Sequence, residues 1–217
     1  MSERHAAAPG YPNRVPHPTL LEGRLVRLVP LAEEHIEPLL RISRATPDEY
    51  RFTSTPVTDE QAEGYFSTAF AERESGHAYP FAILKMPGNE VIGSTRLADI
   101  RWQHRNCELG YTWFHPDLHR TGVNVDSKLL ILTLAFQTLG FVRVQIHTDK
   151  RNVRSQRAIE ALGAVYEGDL RRHMISKDGY IRDTVVYSIV DQQWPDVRDR
   201  LVERLRKHGV EVRPAGG

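Results

Sequence analysis

Tyr111 to Asn124 reads YTWFHPDLHRTGVN, and everything around it is organised by how this stretch folds. The aromatic end of a strand stops at His115-Pro116, and a short loop with Arg120, Thr121 and Gly122 follows. From Val125 to Leu139 the chain then carries Leu129, Leu130, Leu132, Thr133, Phe136 and Leu139 on one side, with Gly140 where a C-terminal cap belongs. A strand whose loop feeds a helix start presents backbone N–H groups with no intrahelical partner, together with the positive end of the helix dipole. That combination suits a phosphate or pyrophosphate. Gly122 lets the backbone approach an anion with no Cβ in the way, and Arg120 adds charge. Asp126, early in the helix, repels an anion unless it is turned aside. Many strand–helix junctions carry a glycine and bind nothing, so the loop alone defines no site.

Working outward, Asn106 to Phe114 (NCELGYTWF) is the third strand of a meander whose first two members are Pro80 to Met86 and Val91 to Ile100, joined at Pro87-Gly88-Asn89. Before them lie a short strand, Arg24 to Val29, and a helix, Ala32 to Ser43, with Ile36, Leu39 and Leu40 on one face and Pro38 displacing its start or kinking it. A second helix opens at Thr58, with Gln61 three residues on as a capping box requires. Downstream, Phe141 to Thr148 alternates with period two, and Asn152 to Leu162 is a helix closed by Gly163. Val165 to Ser176 and Ile181 to Val190 form a hairpin about Asp178-Gly179, and Trp194 to Lys207 is a last helix. The order β-α-α-β-β-β-α-β-α-β-β-α predicts an α/β fold, a mixed and mostly antiparallel sheet covered by helices. We read residues 1–19 as a flexible tail, 20–190 as the domain, and 191–217 as a C-terminal helix and tail packed on it.

The 217 residues are enough for one domain with a full core. Lys plus Arg is 29 against 28 for Asp plus Glu, so no overall field favours nucleic acid or a membrane surface, and any anion site is local. A single cysteine, Cys107, excludes an intrachain disulfide here and fits a reducing, cytoplasmic setting. The longest apolar stretch falls far short of the ~20 residues of a membrane span, and the first residues lack the apolar centre of a secretory signal. His115 and His119 have a spacing that binds metal on a helix, but they straddle Pro116 with no completing carboxylate or thiol, so no metal is expected.

A second stretch adds to the first: Asn152-x-x-Ser155-x-x-Ala158-Ile159-x-x-Leu162-Gly163-Ala164. Asn152 is a good N-cap and Ser155 sits at the third helical position, which by itself is ordinary helix chemistry. Together the two stretches resemble the GNAT acyltransferase superfamily, in particular its RimJ/RimL-like N-acetyltransferases. That family carries Arg/Gln-x-x-Gly-x-Gly/Ala at its pyrophosphate loop and Asn-x-x-Ser followed by Leu-Gly-Phe/Ala. In this chain His119 stands for Arg/Gln, Gly122 fits, Asn124 stands for Gly/Ala, and the downstream half fits through Asn152, Ser155, Leu162 and Gly163. The resemblance spans roughly residues 20 to 190.

It implies an N-acetyltransferase that moves an acetyl group from acetyl-CoA to a peptide N-terminal α-amine or a small-molecule amine, with a homodimer permitted. Backbone N–H groups across His119, Arg120, Thr121, Gly122, Val123 and Asn124 would hold the pyrophosphate. Trp113 and Phe114 would pair their backbone with the pantetheine arm where two strands splay, Asn152 would bond the arm, and Ser155 would stabilise or protonate the departing thiolate. An α-amine, with a pKa of ~7.7–8.0 against ~10.4 for lysine, needs only mild base help. Glu108, on the strand beside the gap, is the preferred base, although alternation along Glu108-Leu109-Gly110-Tyr111 equally describes an exposed carboxylate. Asp183 and Glu167 are weaker candidates. Trp102, Trp113 and Tyr111 are candidates for the wall of an acceptor pocket expected around residues 44–75 and 101–106. Arg171-Arg172-His173 with Arg182 reads either as a solvated hairpin face or as a basic lip for an acidic substrate or the 3′-phosphate of CoA. The rival reading is an acyl-CoA-binding module without turnover.

Overall fold

A computed structural model describes residues 15–211. One eight-stranded sheet runs in the order β1-β2-β3-β4-β5-β6-β8-β7. Its strands are β1 (Leu21–Glu22), β2 (Val26–Pro30), β3 (Tyr79–Lys85), β4 (Glu90–Arg101), β5 (Asn106–Phe114), β6 (Arg143–Asp149), β7 (Val165–Ile175) and β8 (Ile181–Val190). Every neighbouring pair is antiparallel except β5 with β6, which are parallel and joined by a helical crossover. The expected mixed, mostly antiparallel sheet is therefore present, extended by the two-residue β1.

The helices are α1 (Ile36–Ala45), α2 (Asp59–Ser75), α3 (Val123–Thr133), α4 (Val153–Leu162) and α5 (Trp194–Lys207). Pro38 falls in the first turn of α1, where its missing N–H is not needed, and the helix accordingly starts at Ile36 after a short tight turn rather than at Ala32. Thr58 caps α2 by accepting from the Gln61 N–H at 3.3 Å, while the Gln61 side chain accepts from the Val57 N–H at 2.9 Å, one residue earlier than a standard box. The single long helix expected to Leu139 changes character after Thr133 and continues as a wider π turn over Leu134–Thr138. The Thr133 hydroxyl donates to the Leu129 carbonyl at 2.6 Å, a back-bond that loosens a helix where it occurs.

The two faces of the sheet are covered differently. On one face, Val125, Ile131, Ile159, Leu162, Val197 and Leu201 from α3, α4 and α5 share a core with Val26, Leu28, Phe81, Leu109 and Val144. On the other, Leu39, Leu40, Ala62, Phe66 and Ala69 from α1 and α2 pack with Ala82 and Trp113. Burying each such side chain stabilises the fold by about 1.5–3 kcal/mol before conformational entropy is counted. Of the expected N-terminal tail, the described part is tied down: the His17 ring lies against Tyr79 and Phe81, and its Nε2 is 3.0 Å from the Pro80 carbonyl. Residues 1–14, and 212–217 of the expected C-terminal tail, lie outside the described residues. No helix among the described residues is long and apolar enough to cross a membrane.

Candidate active site

The parallel pair is short. Asn106, Cys107 and Glu108 of β5 face Arg143, Val144 and Gln145 of β6, and no further pair follows among the described residues, although β5 runs on to Phe114 and β6 to Asp149. The strands part at Glu108 because β5 is bulged just beyond it. Ser94 pairs with Trp113 and Arg96 with Gly110, so Tyr111 and Thr112 together oppose Thr95, and Tyr111 adopts φ 52°. A bulge bends its strand and resets the alternation of side chains. Cys107 and Leu109 enter the α3–α5 core, whereas Tyr111 and Trp113 pack on the α2 side and Thr112 turns back towards α3, where it receives a hydrogen bond from Lys128 at 2.6 Å. Because β5 and β6 are parallel, the loops leaving both strands lie at the same end of the gap, and a helix starts from each.

The loop into α3 has Arg120 at φ 66° and Gly122 at φ 87°. Gly122 is the N-cap and no side chain caps the helix, so the first-turn N–H groups are left to other partners. The expectation about Gly122 is corrected in one respect. A Cβ there would meet Leu25 Cδ1 at 3.0 Å and His208 Cγ at 3.2 Å, so the protein itself fills that direction, and the glycine is required by its positive φ and by this packing. Asp126 is turned aside: its buried Oδ2 accepts from the N–H groups of Arg24, Leu25 and Val26 at 2.8, 2.6 and 3.1 Å, which builds the β1–β2 turn. The Asn124 side-chain oxygen is buried without a hydrogen-bond partner among the described residues. Across the gap, Asn152 Oδ1 accepts from the Ser155 N–H at 3.1 Å and caps α4, with Ser155 half-buried above it. Arg154 pairs with Glu49 at 2.5 Å, and burial together with the Arg154 charge holds His119 below the usual histidine range, so the two loops converge. Trp113 is buried, its Nε1 donating to the Tyr65 hydroxyl at 3.2 Å, and the Phe114 carbonyl accepts from the Tyr50 hydroxyl at 2.8 Å.

Glu108 stands where the strands separate, with Oε1 3.2 Å from His147 Nε2 on β6. Burial, assisted by the Asp99 charge and opposed by Arg182, pushes the Glu108 carboxyl up to about 7. Burial, assisted by Arg182 and His173, pushes His147 down to about 4. Desolvation therefore outweighs the attraction of an ion pair, and near neutrality His147 is a neutral ring beside a carboxyl poised between its two states. Glu108 is thus not the exposed carboxylate that simple alternation allows. Its side chain lies over Gly110, where a Cβ would come within 2.7 Å of Oε1. The weaker candidates are committed elsewhere. Glu167 binds Arg143 at 2.5 Å and Ser188 at 2.7 Å and is held down at about 2, and Asp183 accepts from the Arg172 N–H at 2.8 Å. His147 is not singled out by the sequence. Its one signal is a polar position two residues beyond the partner of Glu108, which is visible only once the β5–β6 register is known.

An open cavity of about 370 Å3 lies between α2, the 51–54 turn and the β7–β8 hairpin; Glu108 is not in its wall, but Arg96 and Arg182, whose charges act on the Glu108 carboxyl, are. Tyr65, Arg96, Tyr111 and Arg182 form part of its wall, with the Arg96 guanidinium 4.0 Å above the Tyr111 ring and 3.1 Å from Glu72. Residues 101–106 do not line it. Trp102 instead donates to the Gly76 carbonyl at 2.9 Å and packs on Tyr79 and Phe141, because its short turn lies over the sheet rather than over the gap.

A mixed sheet split along its parallel pair, with an uncapped helix at the mouth of the split and a poised carboxyl inside it, defines an acyltransferase architecture. The sequence profile of the acetyltransferase (GNAT) domain matches residues 25–165, and the chain belongs to this family as an acyl-CoA-dependent N-acetyltransferase. It is 29% identical over 131 residues to the uncharacterized N-acetyltransferase YoaA of Bacillus subtilis (strain 168), covering 60% of this chain and 73% of that one. A crystal structure from T. thermophilus, provisionally named an acetyltransferase, shares 39% identity at a TM-score of 0.76 over 87% of this chain and 97% of its own. Mycobacterium smegmatis RimJ, solved with CoA-disulfide, shares the fold at a TM-score of 0.71 and 20% identity over 88% and 93% of the two chains.

Proposed function

We propose that acetyl-CoA is the donor, that the acceptor is a primary amine, either a protein N-terminal α-amine or a small-molecule amine, and that Glu108 is the general base. The observation that carries this reading is the buried Glu108 carboxyl, raised to about 7 at the point where β5 and β6 part and acted on by Arg96 and Arg182, which line an open cavity. N–H groups of the loop from His119 to Asn124 receive the pyrophosphate at the uncapped start of α3. The backbone of Trp113 and Phe114 follows the pantetheine arm, and the amide of Asn152, whose oxygen serves as the α4 cap, donates to the arm through its NH2. The amine attacks the thioester carbonyl carbon as the neutral base. Its extra proton passes to Glu108, the C–S bond breaks as the amide forms, and the Ser155 hydroxyl supports the leaving thiolate. The RimJ structure with CoA-disulfide supports a CoA-type donor, and the name of a second relative, YdaF of Bacillus subtilis (strain 168), provisionally called a ribosomal N-acetyltransferase (27% identical over 104 residues, 48% of this chain and 56% of that one), supports a protein amine as one acceptor class.

The test is thiol release from acetyl-CoA across a library of amines and short peptides, for the parent and for Glu108→Gln. The parent rate rises through about pH 7 as Glu108 ionises, and the variant loses about 10²–10⁴-fold in turnover together with that pH limb while keeping its affinity for acetyl-CoA. Equal rates and equal pH profiles would remove Glu108 from the mechanism. Binding of acetyl-CoA with no thiol release from any acceptor would instead favour the non-catalytic module.

A further inference from the structure

The open cavity between α2 and the β7–β8 hairpin has an unequal charge balance. Arg51, Arg96, Lys177 and Arg182 line it, against Glu60 as the one carboxylate among its lining residues. Two of these cations have other duties. Arg96 is paired with Glu72, and the Arg51 guanidinium lies 4.7 Å from the Phe52 ring. The other two come from the β7–β8 hairpin and form no ion pair with a carboxylate among the described residues. Lys177 Nζ donates only to the Thr55 carbonyl, at 2.9 Å. Arg182 Nε donates to the Thr184 hydroxyl at 3.0 Å, and its Nη2 is buried with no hydrogen-bond partner among the described residues. The nearest acids are already engaged: Asp149 is held by Arg151 at 2.7 Å, and Glu108 faces His147. A buried guanidinium N–H without an acceptor is costly to keep, and a planar fork of such donors fits a carboxylate. By contrast, Arg171 and Arg172 of the same hairpin are exposed, so the basic stretch of the sequence divides into a solvated pair and an inward-facing Arg182.

We propose that the acceptor amine carries a carboxylate, as a free amino acid or short acidic peptide does, and that Arg182, helped by Lys177, is the residue that recognises it. This rests on the acetyl-transfer reading of the site and names its substrate class. The volume of the cavity suits an acceptor of that size. With the carboxylate held at Arg182, the amine is directed towards Glu108, whose charge already couples to that guanidinium.

The experiment uses the full chain with saturating acetyl-CoA and acceptors in matched pairs: amino acids against their carboxamides, glycylglutamate amide against glycylglutamine amide, and phosphoethanolamine against ethanolamine. The carboxylate member should show a KM about 10- to 100-fold below its neutral partner. Arg182→Gln should erase that difference and Lys177→Gln should reduce it, each read as the ratio of KM within a pair, because losing Arg182 also alters the Glu108 carboxyl for every acceptor; KM for acetyl-CoA should be unchanged. Equal KM values within the pairs, or a preference confined to the phosphate-bearing amine, would overturn the inference. Calorimetry with N-acetylglycine against N-acetylglycinamide keeps the two levels apart. Carboxylate-selective binding that is lost in Arg182→Gln upholds the inference even if no amine is turned over, which would defeat only the catalytic reading. Absence of selectivity in an active enzyme defeats the inference alone.

Discussion

Two helices begin at the same end of the split sheet, and they begin in opposite ways. At α4 the chain closes on itself: Asn152 Oδ1 takes the Ser155 N–H, and the helix beyond buries little more than Ile159 and Leu162. At α3 Gly122 offers no side chain, the first-turn donors are left open, and the helix that follows carries Asp126, Ser127 and Lys128 into the interior. A protein forming a helix for packing alone gains from a cap, worth about 1 kcal/mol. α1 and α5 also start without a side-chain cap, so what sets α3 apart is its place at the mouth of the split together with the polar groups it buries, which is the arrangement the proposed donor site requires. The difference also separates what Gly122 and Asn152 do. The first sets a backbone conformation, and the second supplies an atom.

The largest expected effect comes from the residue that joins α3 to the sheet. Asp126→Ala removes one carboxylate oxygen shared by three backbone N–H groups and should cost about 3 kcal/mol or more in urea unfolding, since buried donors lose their acceptor. A loss under about 1 kcal/mol would mean that water replaces the carboxylate and that the β1–β2 turn does not depend on α3. Gly122→Val comes next. A β-branched residue at φ 87° meets strain of about 1–2 kcal/mol and also strikes Leu25 and His208, so stability and CoA affinity should fall together, the latter about tenfold by calorimetry. Lost stability with unchanged CoA affinity would show that the uncapped α3 start does not serve the donor. Asn152→Ala should cost about 1 kcal/mol in thermal unfolding, and Asn152→Ser, which keeps a capping oxygen but no amide NH2, should recover most of it. If the serine variant also keeps full CoA affinity, Asn152 is a cap and nothing more, and the contrast between the helices becomes complete.

Most of the scaffold is legible in the sequence because its signals are local. Period-two runs such as Phe141 to Thr148, the Thr58 and Asn152 caps and the Gly76 and Gly163 stops each depend on a few neighbouring residues. The parts that are not legible depend on register. Nothing local tells that β5 carries an extra residue at Tyr111, and that bulge moves Tyr111 and Trp113 to the face opposite Cys107 and Leu109, where unbroken alternation would keep all four together. His147 acquires meaning only when β6 is set beside Glu108, and Arg182, grouped in sequence with Arg171 to His173, is separated from that exposed pair only by the fold, which is long-range pairing. Residues 101–106 suggest themselves for a pocket wall because they flank β5 in sequence, whereas the open cavity by Tyr111 takes its wall from α2, the 51–54 turn and the β7–β8 hairpin.

The change expected to be smallest at high pH, and the one that tests the interior half of the contrast, is Lys128→Met. Lys128 is buried on α3, bonds Thr112 at 2.6 Å, pairs with no carboxylate among the described residues, and is pushed down to about 7 by burial. Its folded pKa lies below its unfolded value near ~10.4, so between about pH 7 and 10.4 the unfolded chain binds more protons. This residue therefore makes stability rise with pH across that window. Its full penalty is present below about pH 7 and is gone only above about pH 10.4. Glu108 acts in the neighbouring window with the opposite sign: raised from 4.5 to about 7, it makes stability fall as pH climbs between those values. Near pH ~10.4 the folded amine is neutral and little penalty is left, so methionine of similar length should change unfolding free energy by less than about 1 kcal/mol. At pH 7 the variant should be the more stable, and the rise from pH 7 to about 9 should be flatter than in the parent. Parallel stability curves across that range would mean that Lys128 keeps its charge through a partner such as bound water near Asn124 and Ser127, so that the interior of α3 is wet and its polar residues belong to an internal solvent site.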